Sequence, residues 1–283
     1  MGTLSRTWDL MGQSFRVLKS DKELMWLPVL SAIFCLMATV IIGGSGFLLM
    51  GPTGPIPQDV ASQKLFEQQM APWIFLLYVV NYSLSVYFNV ALVGIALNRL
   101  SGGNATLSDG LQLAWDRKWS ILQWALLSAT IGMLLQAIER RVGFLGRLVA
   151  GFIGVMWTLA SFFVVPVLAV QGVGPVEALS KSGHIFRQRW GEQVAGGFSF
   201  QLLFFLLALP GALPPLMGVQ RFGLSGLLVG FTISVIYWVL LAVVGSAARG
   251  IFVAALYRYA TDQSVPPGFD RGDLAGAFQA KGR

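Results

Sequence analysis

Charge is scarce in this chain and confined to short segments. Of 283 residues, only 12% are Asp, Glu, Lys or Arg, where soluble domains carry about a quarter. None occurs between Glu23 and Asp59, Glu67 and Arg99, Lys118 and Glu139, Arg147 and Glu177, Glu192 and Arg221, or Arg221 and Arg249. Gaps of that length exclude an ordinary water-soluble fold. Cysteine is nearly missing too: Cys35 stands alone, which excludes a disulfide framework and a cysteine metal site. The Ile33-Phe34 before it does not resemble a lipoprotein cleavage site. His184 is the only histidine, with Glu177 and Glu192 its nearest acidic neighbours. One imidazole cannot assemble a metal's ligand set. There is no HExxH, no Asp pair within an apolar run and no glycine-rich phosphate loop followed by Lys. Gly44-Ser45-Gly46 faintly matches a serine-nucleophile turn, but a nucleophile needs a base within reach, and His184 belongs to a charged stretch elsewhere. No catalytic residue, metal or cofactor is expected.

What remains is apolar. Hydrophobic residues make up 55% of the chain and the mean hydropathy is +0.68. A bilayer core needs about 20 apolar residues per helix. Each uncharged gap therefore accommodates one crossing, and the runs lack the alternation of barrel strands. The sequence predicts an all-α, polytopic bundle of six transmembrane helices, at about 25–49, 73–97, 119–138, 148–170, 193–213 and 227–249. The first run is too long for a signal-peptide core and lacks a small-residue cleavage pattern, so it counts as a mature helix. Fourteen Lys and Arg fall on the side of both termini and five on the other. The positive-inside rule places residues 1–23, 98–118, 171–192 and 259–283 in the cytoplasm. The net charge of +7 lies in small groups at membrane edges, which points to anionic inner-leaflet headgroups as partners and away from nucleic acid.

The chain also repeats. An amphipathic stretch precedes each odd-numbered span: Leu4, Trp8, Met11, Phe15 and Leu18; then Leu107, Leu111, Trp115, Trp119 and Leu122; then Val176, Leu179, Gly183, Phe186 and Trp190. Those spacings put apolar groups on one helical face, with Lys and Arg off it. Trp beside basic residues marks headgroup depth, so Phe15, Trp115, Trp119, Phe186 and Trp190 are expected at the interface. Even-numbered spans end alike, in Ala96-Leu97-Asn98-Arg99-Leu100 and Ala255-Leu256-Tyr257-Arg258-Tyr259. Phe269, Leu274 and Phe278 form a truncated fourth stretch. With two crossings per unit, the repeats are parallel. One membrane domain, 1–283, then divides into sub-units of about 1–100, 101–172 and 173–260, with a cytoplasmic tail at 261–283.

Phe15 to Leu24 followed by Pro28, Phe162-Phe163-Val164-Val165-Pro166-Val167 with Gly174-Pro175-Val176-Glu177-Ala178-Leu179 and Arg189-Trp190-Gly191-Glu192, and Gly250 to Ala260 resemble an uncharacterised family of bacterial six-span integral membrane proteins. The chain is more faintly similar to the membrane domain of glycerophosphodiester phosphodiesterases, without their catalytic domain. The resemblance implies a bacterial inner membrane and no transferable activity.

Two features are candidate binding elements. Asn81, Ser85 and Asn89 form a polar stripe at i, i+4, i+8, one turn after Tyr78. Such a stripe faces protein or water, not lipid, as a groove for a solute or headgroup or as interhelical hydrogen bonds. Arg249 interrupts the apolar stretch from Leu224 to Tyr257, snorkelling to a lipid phosphate or holding an anion deeper in the bilayer. Ser128/Gly132 with Gln136, Ala150/Gly154/Thr158 and Gly226/Gly230/Ser234 read as packing seams. The leading expectation is a non-enzymatic protein that organises or binds lipids or partner membrane proteins, with homo-oligomers left open. The alternative is a transporter or lipid-translocating protein with its pathway along the repeat axis.

Overall fold

The computed structural model describes residues 12–19, 21–50, 60–141, 144–190, 199–262 and 264–275. Among them all regular structure is helical. Helix α1 covers 12–19. A 3-10 turn, Lys22–Met25, leads into α2 (Trp26–Ala38), a π-helical bulge (Thr39–Gly43), α3 (Gly44–Met50) and α4 (Val60–Leu100). Then follow α5 (Leu107–Asp116), α6 (Lys118–Arg141), α7 (Phe144–Ala160), α8 (Val164–Gln171) and α9 (Pro175–Trp190). The chain continues through α10 (Ser199–Ala208), a 3-10 turn (Leu209–Ala212), α11 (Leu213–Asp262) and α12 (Arg271–Ala275). Of the expected interfacial stretches, Leu4, Trp8, Met11 and Phe278 lie outside the described residues.

Five helical stretches are long and apolar enough to cross a membrane: Lys22–Leu49, Lys64–Leu100, Lys118–Glu139, Val149–Gln171 and Phe204–Asp262. The first four overlay the first four expected spans. The fifth expected span, of which 193–198 lie outside the described residues, meets the sixth in the fifth stretch, whose 59 residues would reach about 88 Å as one straight helix against a core of about 30 Å. It is not straight. Gly223 has φ 61° and ψ −139°, a conformation that a Cβ disfavours, and the chain doubles back there. Trp238 Nε1 donates to the Ala208 carbonyl at 3.0 Å, and the Tyr237 hydroxyl donates to that of Leu207. A Cβ on Gly226 would collide with the Gly218 carbonyl, and one on Gly230 with that of Pro214. Partner numbers fall on one arm as they rise on the other, so the arms run antiparallel. Gly226, Gly230 and Ser234 are all buried, which makes this small-residue stripe a close packing seam.

Two other pairs are antiparallel as well. In the first, Thr39 from the π bulge hydrogen bonds Asn81, the Cys35 thiol reaches the Asn81 carbonyl at 3.6 Å, and Gly46 packs against Trp73. In the second, Trp124 stacks on Trp157 at 5.6 Å, and Ser120 reaches the Gly172 carbonyl at 3.5 Å. Gly172 ends α8 in the left-handed conformation, φ 61°, the usual helix-stopping use of glycine.

The contacts group the chain into two compact units. One comprises Val29–Gly94 and Thr106–His184. Its buried residues include Val90, Leu92, Ala125, Phe163, Val167 and Leu168. Here α5 and α9 pack on their small residues. Helix α5 buries Gly110 and Ala114 and leaves Trp115 60% exposed. Helix α9 buries Ala178 and Ser182, and the Phe163 N–H donates to the Ser182 hydroxyl at 2.9 Å. Helix α5 starts with a capping box in which Asp109 accepts from the Thr106 N–H and hydroxyl, both at 2.8 Å. These bonds favour the charged form and hold the Asp109 carboxyl below the usual aspartate range. The cap therefore holds above that range and is lost as pH falls through the lowered value.

The other unit comprises the described parts of Met1–Pro28, Ile95–Ala105 and Ile185–Arg283. Its core gathers Leu24 and Leu27, Ile95 and Leu100, Ile251, Phe252 and Leu256, and Leu274. In the apolar arms, by contrast, large side chains lie open, among them Phe222, Leu224, Leu228, Phe231 and Leu240.

Candidate functional site

Of the polar stripe, Asn81 is tied to the other arm of its hairpin and Asn89 to its own helix. The Asn81 amide donates to Thr39 Oγ1 at 3.2 Å and to the Leu77 carbonyl at 3.0 Å. Asn89 donates to the Ser85 carbonyl at 2.9 Å. Ser85 itself is half-buried. Arg249 belongs to the other unit, so these four residues do not form one site within either. Arg249 is exposed between buried Ala248 and Gly250, and among the described residues it has no hydrogen-bond or ion-pair partner.

The expected interfacial residues differ in placement. Trp115 and Trp119 are 60% and 67% exposed, with Lys118 over the Trp115 ring at 4.2 Å. Phe15 is half-buried and Phe186 is buried. Trp190 closes α9, and its side chain lies outside the description. The Ser45 hydroxyl donates to the Ile42 carbonyl at 3.0 Å. Among the described residues no group of three or more His, Cys, Asp or Glu is arranged to hold a metal.

A cavity open to the outside lies inside the unit that holds both ends of the described chain. Its volume is about 700 Å³, within the size range of small-molecule sites. Helix α1 supplies Gln13, Arg16 and Val17, and the following turn supplies Asp21 and Leu24. Arg99 and Leu100 come from the end of α4, Phe269 and Asp270 from the tail. The wall is thus a ring of charges over an apolar floor.

Each charge has a definite environment. Arg99 is 14% exposed, and its guanidinium pairs with Asp21 and, at 3.3 Å, with Glu23. Its Nε donates to the Ala105 carbonyl at 2.9 Å. A cation in the last turn of α4 also meets the negative end of the helix dipole. Arg99 therefore ties the amino-terminal turn to the end of α4. Asp270 accepts the backbone N–H groups of Gly272 and Asp273 through one oxygen. Gln13 accepts from the Asp270 N–H at 3.2 Å and donates to Asp273 at 2.7 Å. These bonds clamp the tail onto α1. Arg16 is exposed at the rim and has no hydrogen-bond or ion-pair partner among the described residues.

Sequence reading missed this site because its walls are contributed by residues about 250 positions apart. The one available signal was Arg16, a basic residue off the apolar face of α1.

A family model matches residues 69–266. The chain belongs to DUF6159, a family of unknown function. No curated protein matches it, and neither finding links it to glycerophosphodiester phosphodiesterases. The region that defines this chain as DUF6159 covers α4 to the start of the tail. It holds Arg99 and Leu100 of the cavity, whereas Gln13, Arg16, Asp21, Phe269 and Asp270 lie outside the matched residues.

Proposed function

We propose that this DUF6159 protein is a non-enzymatic, six-span protein of the bacterial inner membrane that binds and organises lipids or partner membrane proteins, itself included. The observation that carries this reading is the distribution of apolar surface. In the stretch Phe204–Asp262 only 11% of the most apolar window is buried, and in Lys22–Leu49 only 6%. Soluble monomers rarely expose apolar patches above a few hundred Å², and a bilayer supplies the missing cover.

Six crossings follow from the turn at Gly223, which splits the fifth stretch into two antiparallel arms. Three hairpins, each led by an interfacial helix, make three parallel units. The matching ends support this. Arg99 Nε donates to the Ala105 carbonyl and Arg258 Nε to the Ser264 hydroxyl, each six residues onward. Each arginine also grips a second segment: Arg99 holds Asp21, and Arg258 holds the Leu100 carbonyl. Exposed Trp115 and Trp119 rest at headgroup depth, with both termini in the cytoplasm. The bond that ties Asn81 to Thr39 favours lipid or protein binding over a transport pathway.

The test is cysteine accessibility in a Cys35→Ser background. Ser101→Cys and Ser180→Cys should react with an impermeant maleimide only after the cells are opened. Arg221→Cys should react in intact spheroplasts. External labelling at Ser101 or Ser180, or protection at Arg221, overturns the six-span topology.

A further inference from the structure

We propose that the cavity between α1, the end of α4 and the tail holds a phosphoethanolamine group, its phosphate on Arg16 and its ammonium on Asp21 and Asp270. This rests on the membrane reading, which makes an aminophospholipid headgroup the natural source. The charge pattern selects the chemistry. Arg99 is already paired with Asp21 and Glu23, so the cation open to a ligand is Arg16. The guanidinium fork suits a phosphate. A bare phosphate or an anionic headgroup would also meet two carboxylates. Asp21 and Asp270 each keep one oxygen without a hydrogen bond among the described residues. A simple cation would meet Arg16. A zwitterion answers both signs.

The donor set separates amine from choline. Free carboxylate oxygens accept N–H bonds, which a primary ammonium offers and a trimethylammonium lacks. Quaternary groups are recognised by open aromatic faces, and the ring in this lining, Phe269, is buried in the core. Position adds a further argument. Arg99 and Leu100 close the apolar run of α4, so the cavity lies where a membrane helix gives way to headgroups. Val17, Leu24 and Leu100 provide an apolar floor for the glycerol end.

The experiment is native mass spectrometry of the full chain in detergent, titrated with phosphatidylethanolamine, phosphatidylcholine or phosphatidylglycerol. Phosphatidylethanolamine should be retained about tenfold better than the other two, the worth of one charge-assisted hydrogen bond. Arg16→Gln should lower retention of all three lipids, because each carries the phosphate, and Arg16→Lys should keep part of it. Asp270→Asn should reduce the preference for phosphatidylethanolamine, which rests on the carboxylates. Arg16 is exposed, so neither of its variants threatens folding. Competition by soluble glycerophosphoethanolamine at equal concentration would assign the site to a free phosphodiester; its failure would assign it to the lipid. Equal retention of phosphatidylcholine or phosphatidylglycerol, undiminished retention in Arg16→Gln, or an unchanged preference in Asp270→Asn overturns the proposal. Any of these alongside the expected cysteine labelling removes the site alone. A chain that stays monodisperse without detergent removes the membrane reading.

Discussion

Arginines at helix ends act here as ties, and the same residue type does different work according to its surroundings. Arg99 and Arg258 each close a long helix and reach across to another segment. Arg117 instead packs its guanidinium against Gly172, where a Cβ would collide with it, and its Nε is buried without a partner among the described residues. Arg249 and Arg16 are exposed and have no hydrogen-bond or ion-pair partner among the described residues. Removing Arg99 would strand the Asp21 carboxylate and the Ala105 carbonyl. Arg99→Ala should therefore cost about 2–3 kcal/mol, seen as a lowered melting temperature in detergent. Lys at 99 should recover only part, because it lacks the planar fork that serves three acceptors. Glu23→Gln should be nearly silent, since Glu23 is 70% exposed and exposed pairs contribute little. Equal melting temperatures for Arg99→Ala and Glu23→Gln would remove Arg99 from this role.

At the scale of the element, the third hairpin depends on missing side chains. Gly218 and Gly226 face each other so closely that a Cβ on either would meet the other's backbone carbonyl. No rotamer relieves a clash with backbone, so Gly226→Leu must separate the arms. The expected loss is about 3 kcal/mol or more, with faster tryptic cleavage at Arg221 near the turn. Gly151→Leu is the matched control, because a Cβ there meets nothing within 4 Å. If both variants melt and cleave alike, close approach of the arms is not what holds this hairpin. Helix α5 shows the complementary pattern. The spacing of Leu107, Leu111, Trp115 and Trp119 was legible as an amphipathic face, but the packed face of α5 is Gly110 and Ala114. Small residues admit a close neighbour, and Trp115 and Trp119 are left exposed.

For the whole molecule, that division of faces predicts different lipid contact for neighbouring tryptophans. Trp115 and Trp119 are largely exposed, whereas Trp124 is 2% exposed and stacked on Trp157. In single-tryptophan variants reconstituted with brominated lipids, Trp115 and Trp119 should be quenched most by bromine near the headgroup. Trp124 should be quenched little at any depth. Strong quenching of Trp124, or emission of fully hydrated Trp at 115 and 119, contradicts the placement of these helices against lipid.

The sequence alone determined that this chain is helical, with runs long and apolar enough to cross a membrane, because that capacity depends on local composition and run length. The same reasoning marked Gly226, Gly230 and Ser234 as a seam, since close helix approach needs small residues wherever the partner lies. Other features depended on distant partners. Asn81 was open to a groove or to hydrogen bonding until Thr39, 42 residues away, proved to be its partner. The fifth and sixth expected spans read as separate, and it is the backbone turn at Gly223 that divides the helix in which they meet. The cavity needed most from the tertiary structure. Gln13 and Asp273 are 260 residues apart, and no local pattern records a hydrogen bond across that separation. Composition decides where a segment resides; only the fold decides which charges are paired and which remain free to bind.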